Sequence, residues 1–298
     1  MPKNVKEEKN KTDGFIEKEL LDAVKKNDIK KVQNLLNIEN IMKAFDRDPS
    51  QELHILRNQL NKYVGKTINL EYKDEKGYTA LLRACENENI NMVRLLIEKG
   101  VKIDKDENYW DSDNNRDQVK SPLHLAVENN DDILTQLLIK KGHPIEPMYD
   151  YSIWESPLAY AVLKENFKIV KILIDNGADV NYTISGEIDV PLSKFNNYQY
   201  FTLLTFAIEK NILDDIAILL IEKSNKSHIH ERSGPEKYST TALLTAIEND
   251  KPNIVKLLLL TEPDIEEEID YYSDKTAFDI ANEKGNKKII KMLEEYVK

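Results

Sequence analysis

The chain has 298 residues, of which 41% are hydrophobic and 32% are charged, and its formal net charge at pH 7 is -11. This hydrophobic fraction is typical of a folded protein, whereas the acidic balance disfavours nucleic-acid phosphates and favours a basic protein surface as partner. Cys85 is the single cysteine, so no intramolecular disulfide can form. The longest apolar run, residues 216–221, is too short to cross a bilayer, so no membrane is expected as a partner.

The N-terminal segment, residues 1–14, is rich in charged residues and lacks the apolar stretch of a Sec-type signal peptide. We therefore expect a charged flexible tail, followed by one domain over residues 15–298. A reducing compartment suits the single cysteine and favours a cytoplasmic location, with non-classical secretion as the open alternative.

A helix pair recurs seven times along the chain. Six copies begin with Thr or Ser, and every copy has a short apolar helix centred on an alanine, a polar break and a second apolar helix. A small central side chain allows two helices to pack closely, and apolar residues at i, i+3 and i+4 indicate the buried face of the second helix. The central alanines are Ala23, Ala84, Ala126, Ala161, Ala207, Ala246 and Ala281.

The segment 38–70 does not follow this pattern. Its residues 50–64 predict an amphipathic helix, because Leu53, Leu56 and Leu60 fall on one face. Two interpretations are open for this irregular segment, a degenerate repeat and an inserted helix.

Two short motifs carry a resemblance to a known family. The residues 121–124, Ser-Pro-Leu-His, and 177–181, Gly-Ala-Asp-Val-Asn, resemble the signature of the ankyrin repeat, and the resemblance extends over roughly residues 17–296. It implies an all-α ankyrin-repeat solenoid of about seven stacked helix-turn-helix units with β-hairpin-like fingers, several of them enlarged.

The chain departs from this family in two respects. Its alanine spacings exceed the family period of about 33 residues, so the extra residues fall in the fingers or between units. In the break between the helices only Gly285 keeps the family's glycine, which Asn, Asp or Glu replaces elsewhere. Asn and Asp tolerate a left-handed conformation at modest cost, whereas Glu88 and Glu165 are harder to explain.

Several chemical sites were tested against the sequence. The acidic stretch 104–119 lacks the glycine and the glutamate of an EF-hand loop in the frames that start at Asp104 and Asp111. His228 and His230 have no third ligand nearby, and a polar surface loop is the simpler interpretation. No phosphate loop, nucleophile elbow or zinc spacing is present. We therefore predict no catalytic residue, no metal site and no cofactor.

Aromatic residues concentrate between the helix pairs, where the resemblance places the fingers that contact partners. Exposed Trp and Tyr are typical anchors of protein interfaces, and the alternative is that some of them fold back to cover an enlarged finger. The aromatic residues predicted to bind a partner are Tyr109, Trp110, Tyr151, Trp154, Tyr198 and Tyr200.

Carboxylates form the second candidate surface. Glutamates stand two residues after the central alanine in most repeats, and those predicted to bind a partner are Glu86, Glu128, Glu209 and Glu248. Stacked repeats align them on the groove side, and a carboxylate near a helix C-terminus is disfavoured by the helix dipole, so helix propensity explains them poorly. We expect this acidic column to receive a basic or amide-rich segment of a partner protein.

These features predict a non-enzymatic protein–protein interaction module, an adaptor or inhibitor that is monomeric on its own and does not bind nucleic acid. The alternatives are an immunity or antitoxin-like neutraliser of a basic toxin, a secreted effector that binds a host protein, and an enzyme with an unrecognised site. A closed pocket with convergent polar groups distinguishes an enzyme from a binder with an open aromatic groove.

Overall fold

The computed structural model of the chain describes residues 15–45, 55, 68–103, 120–146, 156–186, 199–233, 240–265 and 275–298. The predicted tail at 1–14, nearly all of the predicted helix at 50–64 and the acidic stretch at 104–119 lie outside these residues. No helix among the described residues combines the length and the apolar character that crossing a membrane requires.

Helices dominate the described residues. In chain order the elements are α1 Phe15–Lys25, α2 Ile29–Leu36, α3 Ile38–Phe45, α4 Ala80–Glu86, α5 Ile90–Glu98, α6 Pro122–Glu128, α7 Asp132–Lys140, α8 Pro157–Leu163, α9 Phe167–Asp175, β1 Thr183–Gly186, β2 Gln199–Thr202, α10 Leu203–Glu209, α11 Asp214–Lys223, α12 Lys226–Ile229, α13 Ala242–Glu248, α14 Pro252–Leu259, α15 Ala277–Lys284 and α16 Lys287–Tyr296. We call the first helix of each pair inner (α1, α4, α6, α8, α10, α13, α15) and the second outer (α2, α5, α7, α9, α11, α14, α16).

Serine and threonine hydroxyls cap the N-termini of the inner helices from α4 to α15. The Thr79 hydroxyl accepts a hydrogen bond from the Leu82 amide at 3.1 Å, and a Ser or Thr caps the five following inner helices in the same way. Pro122 and Pro157 stand at the start of α6 and α8, where a helix needs no amide hydrogen. The central alanines are at most 2% exposed, so the close packing expected around them is confirmed.

The turn from inner to outer helix contains one residue with positive φ in each pair. Glu88 and Glu165 have φ values of 49° and 56°, so both adopt the left-handed conformation that Gly285 adopts with φ 68°. That conformation costs a residue with a β-carbon about 1–2 kcal/mol, and less for Asn and Asp. The remaining turn residues with positive φ are Asn27, Asn130, Asn211 and Asp250.

Asparagine side chains join successive turns. Asn89 accepts a hydrogen bond from the Met92 amide and so caps α5, while its Nδ2 donates to Asn27 Oδ1 at 2.8 Å. Asn166 caps α9 and donates to Asn130 Oδ1 at 2.9 Å. Each of these amides satisfies a helix N-terminus and ties one repeat to the preceding one.

The chain divides into two compact units. Unit 1 comprises residues 1–129 and 140–143, and unit 2 comprises residues 130–139 and 144–298. The single domain expected over residues 15–298 stays a prediction.

Within unit 1, the first two helix pairs are direct neighbours. Helix α1 packs on α4, and Asn87 Nδ2 donates a hydrogen bond to the Val24 carbonyl at 2.9 Å. Both interpretations of segment 38–70, a degenerate repeat and an inserted helix, stay predictions.

Side-chain oxygens link the bases of successive fingers. Glu71 accepts a hydrogen bond from the Lys102 amide at 2.9 Å within unit 1. Glu146 accepts one from the Asp179 amide at 2.7 Å within unit 2, and burial raises the pKa of the Glu146 carboxyl. Glu71 and Glu146 thus have the same role at the bases of their fingers.

Within unit 2, inner helices α8, α10, α13 and α15 stack in order, and outer helices α9, α11, α14 and α16 stack beside them. The strands β1 and β2 pair antiparallel with Thr183 opposite Thr202, and they form the base of the finger that precedes α10. Ser233 and Thr240 form a single bridge at the base of the next finger, and Ser233 Oγ accepts a hydrogen bond from the Thr202 amide at 3.0 Å. Neighbouring fingers are thereby joined at their bases.

Candidate functional site

The aromatic residues predicted to bind a partner lie almost entirely outside the described residues. Tyr200 stands in β2 opposite Ser185, and its backbone position alone is described. The structure does not describe Tyr109, Trp110, Tyr151, Trp154 and Tyr198. Their role as partner contacts stays a prediction.

The four glutamates of the acidic column each end an inner helix. Glu86 and Glu128 end α4 and α6 in unit 1, and Glu209 and Glu248 end α10 and α13 in unit 2. Their surroundings differ between the two units.

Arg83 neutralises Glu86 in unit 1. Its Nη1 donates to Glu86 Oε2 at 2.5 Å, and its Nε and Nη2 donate to Asp74 Oδ2 at 3.0 and 2.7 Å. The Arg83 side chain is 7% exposed, and its guanidinium lies 3.7 Å from the centre of the Tyr78 ring. A guanidinium this deeply buried requires carboxylate partners, so Asp74 and Glu86 are engaged within the fold.

Asp74 anchors the first finger to α1 and α4. Its Oδ1 accepts hydrogen bonds from the Lys76 and Tyr78 amides at 2.9 and 3.0 Å, and Lys25 Nζ lies 3.1 Å from Oδ2. Desolvation is the largest single influence and raises the pKa of the Asp74 carboxyl. The hydrogen bonds from the two amides and the two cations together outweigh it, and the pKa falls to about 2.

Sequence reasoning missed this ion cluster. One signal could have revealed it, since Arg83 stands within an inner helix that is otherwise apolar until its last residue. Arginine is almost never fully buried unless it is paired. The same position holds Leu125, Tyr160 and Phe206 in other inner helices, which makes the arginine conspicuous.

Lys120 neutralises Glu128, the second carboxylate of unit 1. Its Nζ lies 3.0 and 2.9 Å from the two carboxylate oxygens of Glu128 and 3.0 Å from Glu88 Oε1. Desolvation lowers the pKa of the Lys120 amine, but the hydrogen bonds to Glu128 and Glu88 outweigh it and the pKa is raised. The lysine thus joins the end of α6 to the turn that follows α4.

Glu209 and Glu248 lack such partners. Glu209 Oε2 lies 3.5 Å from Asn249 Nδ2, at the limit of a hydrogen bond, and Glu248 is exposed. Within the described part of unit 2, no ion pair engages either carboxylate, while Lys275 Nζ pairs with Glu283 Oε2 at 2.8 Å. Desolvation lowers the pKa of the Lys210 amine, which the neighbouring Glu209 raises in part. These two carboxylates stand at the ends of adjacent stacked helices, α10 and α13.

The histidines and the cysteine are built into the fold. His228 is 8% exposed with Nδ1 2.7 Å from Glu231 Oε2, and His230 Nε2 lies 2.9 Å from the Thr261 carbonyl. The prediction of a polar surface loop at His228 is therefore wrong, because His228 is a buried residue of helix α12. Cys85 is fully buried and packs as a small hydrophobic residue.

His124 also serves the fold. Its Nδ1 lies 2.8 Å from Ser121 Oγ, the hydroxyl that caps α6. Among the residues that the structure covers, no three His, Cys, Asp or Glu side chains gather in a way that could hold a metal ion.

Known proteins contain repeats similar to those of this chain. A family model for ankyrin repeats (3 copies) matches residues 20–146 and 108–184. A Rickettsia bellii protein described as an ankyrin repeat protein is 27% identical over 135 residues, 43% of this chain and 35% of that protein. The fowlpox virus protein FPV014, described in the same way, is 29% identical over 159 residues, 49% of this chain and 34% of its own length. The chain thus spans about a third of the length of these curated relatives.

A solved structure supports the same fold. The crystal structure of EF0377, an ankyrin repeat protein, is similar with a TM-score of 0.50 and 25% sequence identity, over 77% of this chain and all of that chain. The all-α ankyrin-repeat fold class expected from the sequence is confirmed. Because the family model matches more than half of the sequence, this chain belongs to the ankyrin repeat family, whose repeats generally mediate protein–protein interaction.

Proposed function

We propose that this chain is a non-enzymatic binding module, an adaptor or inhibitor that grips a partner protein through the ends of its inner helices and its aromatic fingers. The observation that carries the proposal is the pair Glu209 and Glu248 at the ends of the adjacent helices α10 and α13. No ion pair engages either carboxylate in the described part of unit 2, and the charges of Lys210 and Lys275 act on Glu209 and Glu248 only from a distance. Ankyrin repeats are typically interaction modules without catalytic activity, which supports the non-enzymatic part.

Electrostatics argues for a ligand at these two glutamates. A carboxylate at a helix C-terminus faces the negative end of the helix dipole, which destabilises it by about 0.3–1 kcal/mol unless a cation lies close. Arg83 and Lys120 supply that cation to Glu86 and Glu128. A cationic side chain of a partner would supply it to Glu209 and Glu248, so the partner we propose presents a basic segment to unit 2.

The fingers extend this recognition surface. The base of the finger before α10 is a β-hairpin, and its strand β2 carries Tyr200. Tryptophan and tyrosine dominate the binding energy of many protein interfaces, and both tryptophans of the chain, Trp110 and Trp154, belong to fingers in the sequence. In this proposal the aromatic fingers add apolar contact, while the carboxylates orient the partner.

The test compares captured partners from native extract. The immobilised full chain, the variant Glu209→Lys plus Glu248→Lys, and the variant Trp110→Ala plus Trp154→Ala are incubated with equal extract, and bound proteins are quantified by mass spectrometry. The matched control is Glu222→Lys plus Glu294→Lys, which reverses two exposed carboxylates on the outer helices α11 and α16.

We expect the variant Glu209→Lys plus Glu248→Lys to lose one dominant partner, which the control Glu222→Lys plus Glu294→Lys should still capture. Its affinity for wild type should fall as salt rises, because salt screens exposed charges beyond about 8 Å at physiological ionic strength. Identical partner sets for wild type, both variants and the control would contradict the proposal.

A further inference from the structure

The turns of unit 2 form a continuous edge, on the side of the repeats away from the fingers. We define the turn edge as residues 130–133, 165–168, 211–215 and 250–252, which connect inner to outer helices or begin the outer helices. Asn166 Nδ2 donates to Asn130 Oδ1 at 2.9 Å, which joins its first two turns. Because α8 packs on α10 and α9 on α11, the next turn is aligned with them.

Large apolar side chains are exposed along this edge. Ile133, Phe167 and Leu213 are 67%, 40% and 50% exposed, and they belong to three successive turns. Single exposed apolar residues are common on protein surfaces, but a row across neighbouring repeats indicates an interaction surface. In unit 1, Ile29 and Ile90 stand at the position of Phe167 and are less exposed than Phe167, so the degree of exposure differs between repeats at this position.

The charges around this row are mostly negative. The turn edge contains six carboxylates and two lysines. Lys168 Nζ lies 2.5 Å from Asp132 Oδ2, and Lys251 Nζ lies 2.8 Å from Asp214 Oδ1, so both lysines pair within the edge. Outside these two pairs the edge also contains Glu165, Asp215 and Asp250, and Asp131 Oδ1 accepts a hydrogen bond from the Leu134 amide at 2.9 Å.

Glu165 and Asp215 flank the apolar row most openly. Both side chains are exposed, and no ion pair engages either of them in the described part of unit 2. Asp250 accepts a hydrogen bond from Asn286 of the following turn, so its position on the edge is set by the fold. An apolar row bordered by fixed and exposed carboxylates complements a surface that is apolar in the middle and basic at its borders.

We propose that the turn edge of unit 2 is a docking surface for a basic amphipathic helix of a partner protein. The repeat spacing sets its pattern. Packed helices lie about 8–10 Å apart, and a helix rises about 1.5 Å per residue, so a helix along the edge meets one turn about every five to seven residues. Of these spacings, seven residues is about two helical turns and keeps successive apolar side chains on one face of the partner helix. The partner helix therefore carries an apolar residue at about every seventh position, with lysine or arginine on both sides. Glu209 and Glu248 are not among the residues that define this surface.

The experiment uses a synthetic helical peptide of about 21 residues with leucine at every seventh position, flanked by lysine on an alanine background. Its binding to the full chain is measured by fluorescence anisotropy at low and high salt. A second peptide replaces every lysine by glutamate, and a third keeps the composition but scatters the leucines around the helix.

Three variants of the full chain accompany these peptides. Ile133→Ser, Phe167→Ser and Leu213→Ser are combined in the first, and Glu165→Lys with Asp215→Lys in the second. The matched control is Leu260→Ser, because Leu260 is 73% exposed and lies outside the turn edge. Circular dichroism melting verifies that each variant is folded, and the charge variant serves as the test if the serine variant is not.

We expect the basic peptide with regularly spaced leucines to bind wild type and the Leu260→Ser control equally. Its affinity for each of the other two variants should be at least about tenfold lower. High salt should weaken binding to wild type, and the glutamate and scattered peptides should bind poorly. Equal binding of all three peptides, equal binding to all variants, or no binding to wild type would overturn the proposal. Self-association of the chain that the serine variant abolishes would also overturn it, since the occupant would then be a second copy.

Discussion

Glu86 and Glu128 in unit 1 occupy the same repeat position as Glu209 and Glu248 in unit 2, yet they have different partners. The first two pair with Arg83 and Lys120, whereas no ion pair engages the last two in the described part of their unit. Equivalent positions in a repeat therefore do not imply equivalent electrostatic surroundings. A carboxylate that the fold already neutralises contributes to stability, and one that it leaves unneutralised is available to a partner.

Removal of the Arg83 guanidinium should cause the largest loss of stability. Arg83→Met leaves the Asp74 and Glu86 carboxylates without their guanidinium, and we expect it to lower the free energy of unfolding by about 2–3 kcal/mol. Urea denaturation of wild type and variant measures the loss. Lys73→Met is the control, since Lys73 is an exposed cation of the same finger. Equal unfolding midpoints for both variants would show that the cluster does not stabilise unit 1.

Acidification should break the ion pairs of the same cluster, because it protonates Asp74. The folded pKa of Asp74 is about 2, below its usual value of 3.8, so its contribution is fully present above pH 3.8 and is lost as pH falls through 2. We expect a contribution of about 1–2 kcal/mol after allowing for solvent screening. Urea denaturation of wild type and Asp74→Asn between pH 7 and about 2 should give a stability difference that narrows below about pH 4.

The control for this pH series is Glu75→Gln, an exposed carboxylate next to Asp74 in the same finger. It should show no comparable narrowing. A difference between wild type and Asp74→Asn that stays constant throughout the series would rule out the lowered pKa.

Each unit contains a glutamate in the left-handed backbone conformation, so the effect of replacing it by glycine can be compared between the units. Glu165→Gly in unit 2 removes backbone strain and should raise the free energy of unfolding by about 0.5–1 kcal/mol. Glu88→Gly in unit 1 removes the same strain but also loses the contact with Lys120, so its gain should be smaller. Thermal melting of both variants compares them directly. A larger gain at Glu88 than at Glu165 would mean that the Lys120 contact contributes nothing.

Neutralising one carboxylate in each unit is the mildest test. Glu128→Gln loses the ion pair with Lys120 and should lower stability by about 0.5 kcal/mol. Glu209→Gln removes a charge that the helix dipole disfavours, and it should leave stability unchanged or raise it by a few tenths of a kcal/mol. Parallel urea denaturation decides the sign. A stability gain for Glu128→Gln together with a stability loss for Glu209→Gln would mean that the fold neutralises Glu209 and not Glu128.

The repeat pattern is visible in the sequence because its causes are local. A hydroxyl caps the helix only a few residues further on, as Thr79 does for Leu82, and a central alanine such as Ala84 needs only its small size. The left-handed turn at Glu88 is harder to accept from residue type alone, yet the constant spacing from Ala84 points to it.

The candidate site is less accessible to sequence reasoning. The acidic column is visible as a pattern, but its four members look equivalent. Their difference depends on where Arg83 and Lys120 place their charges, and on the side chain of Asp74 nine residues before Arg83. The exposed row of Ile133, Phe167 and Leu213 is also hidden, because the apolar pattern of an outer helix does not reveal which members a neighbouring repeat covers.

The sequence by itself determined the helix pairs, their caps, their central alanines and their turns, and with them the ankyrin-repeat fold. Each of these depends on residues within one or two helical turns of one another. Only the tertiary structure decided that α1 packs on α4 across segment 38–67, and which carboxylates of the acidic column are neutralised. Those outcomes depend on distances between groups such as Asn87 and Val24, 63 residues apart, and such distances exist only once the chain has folded.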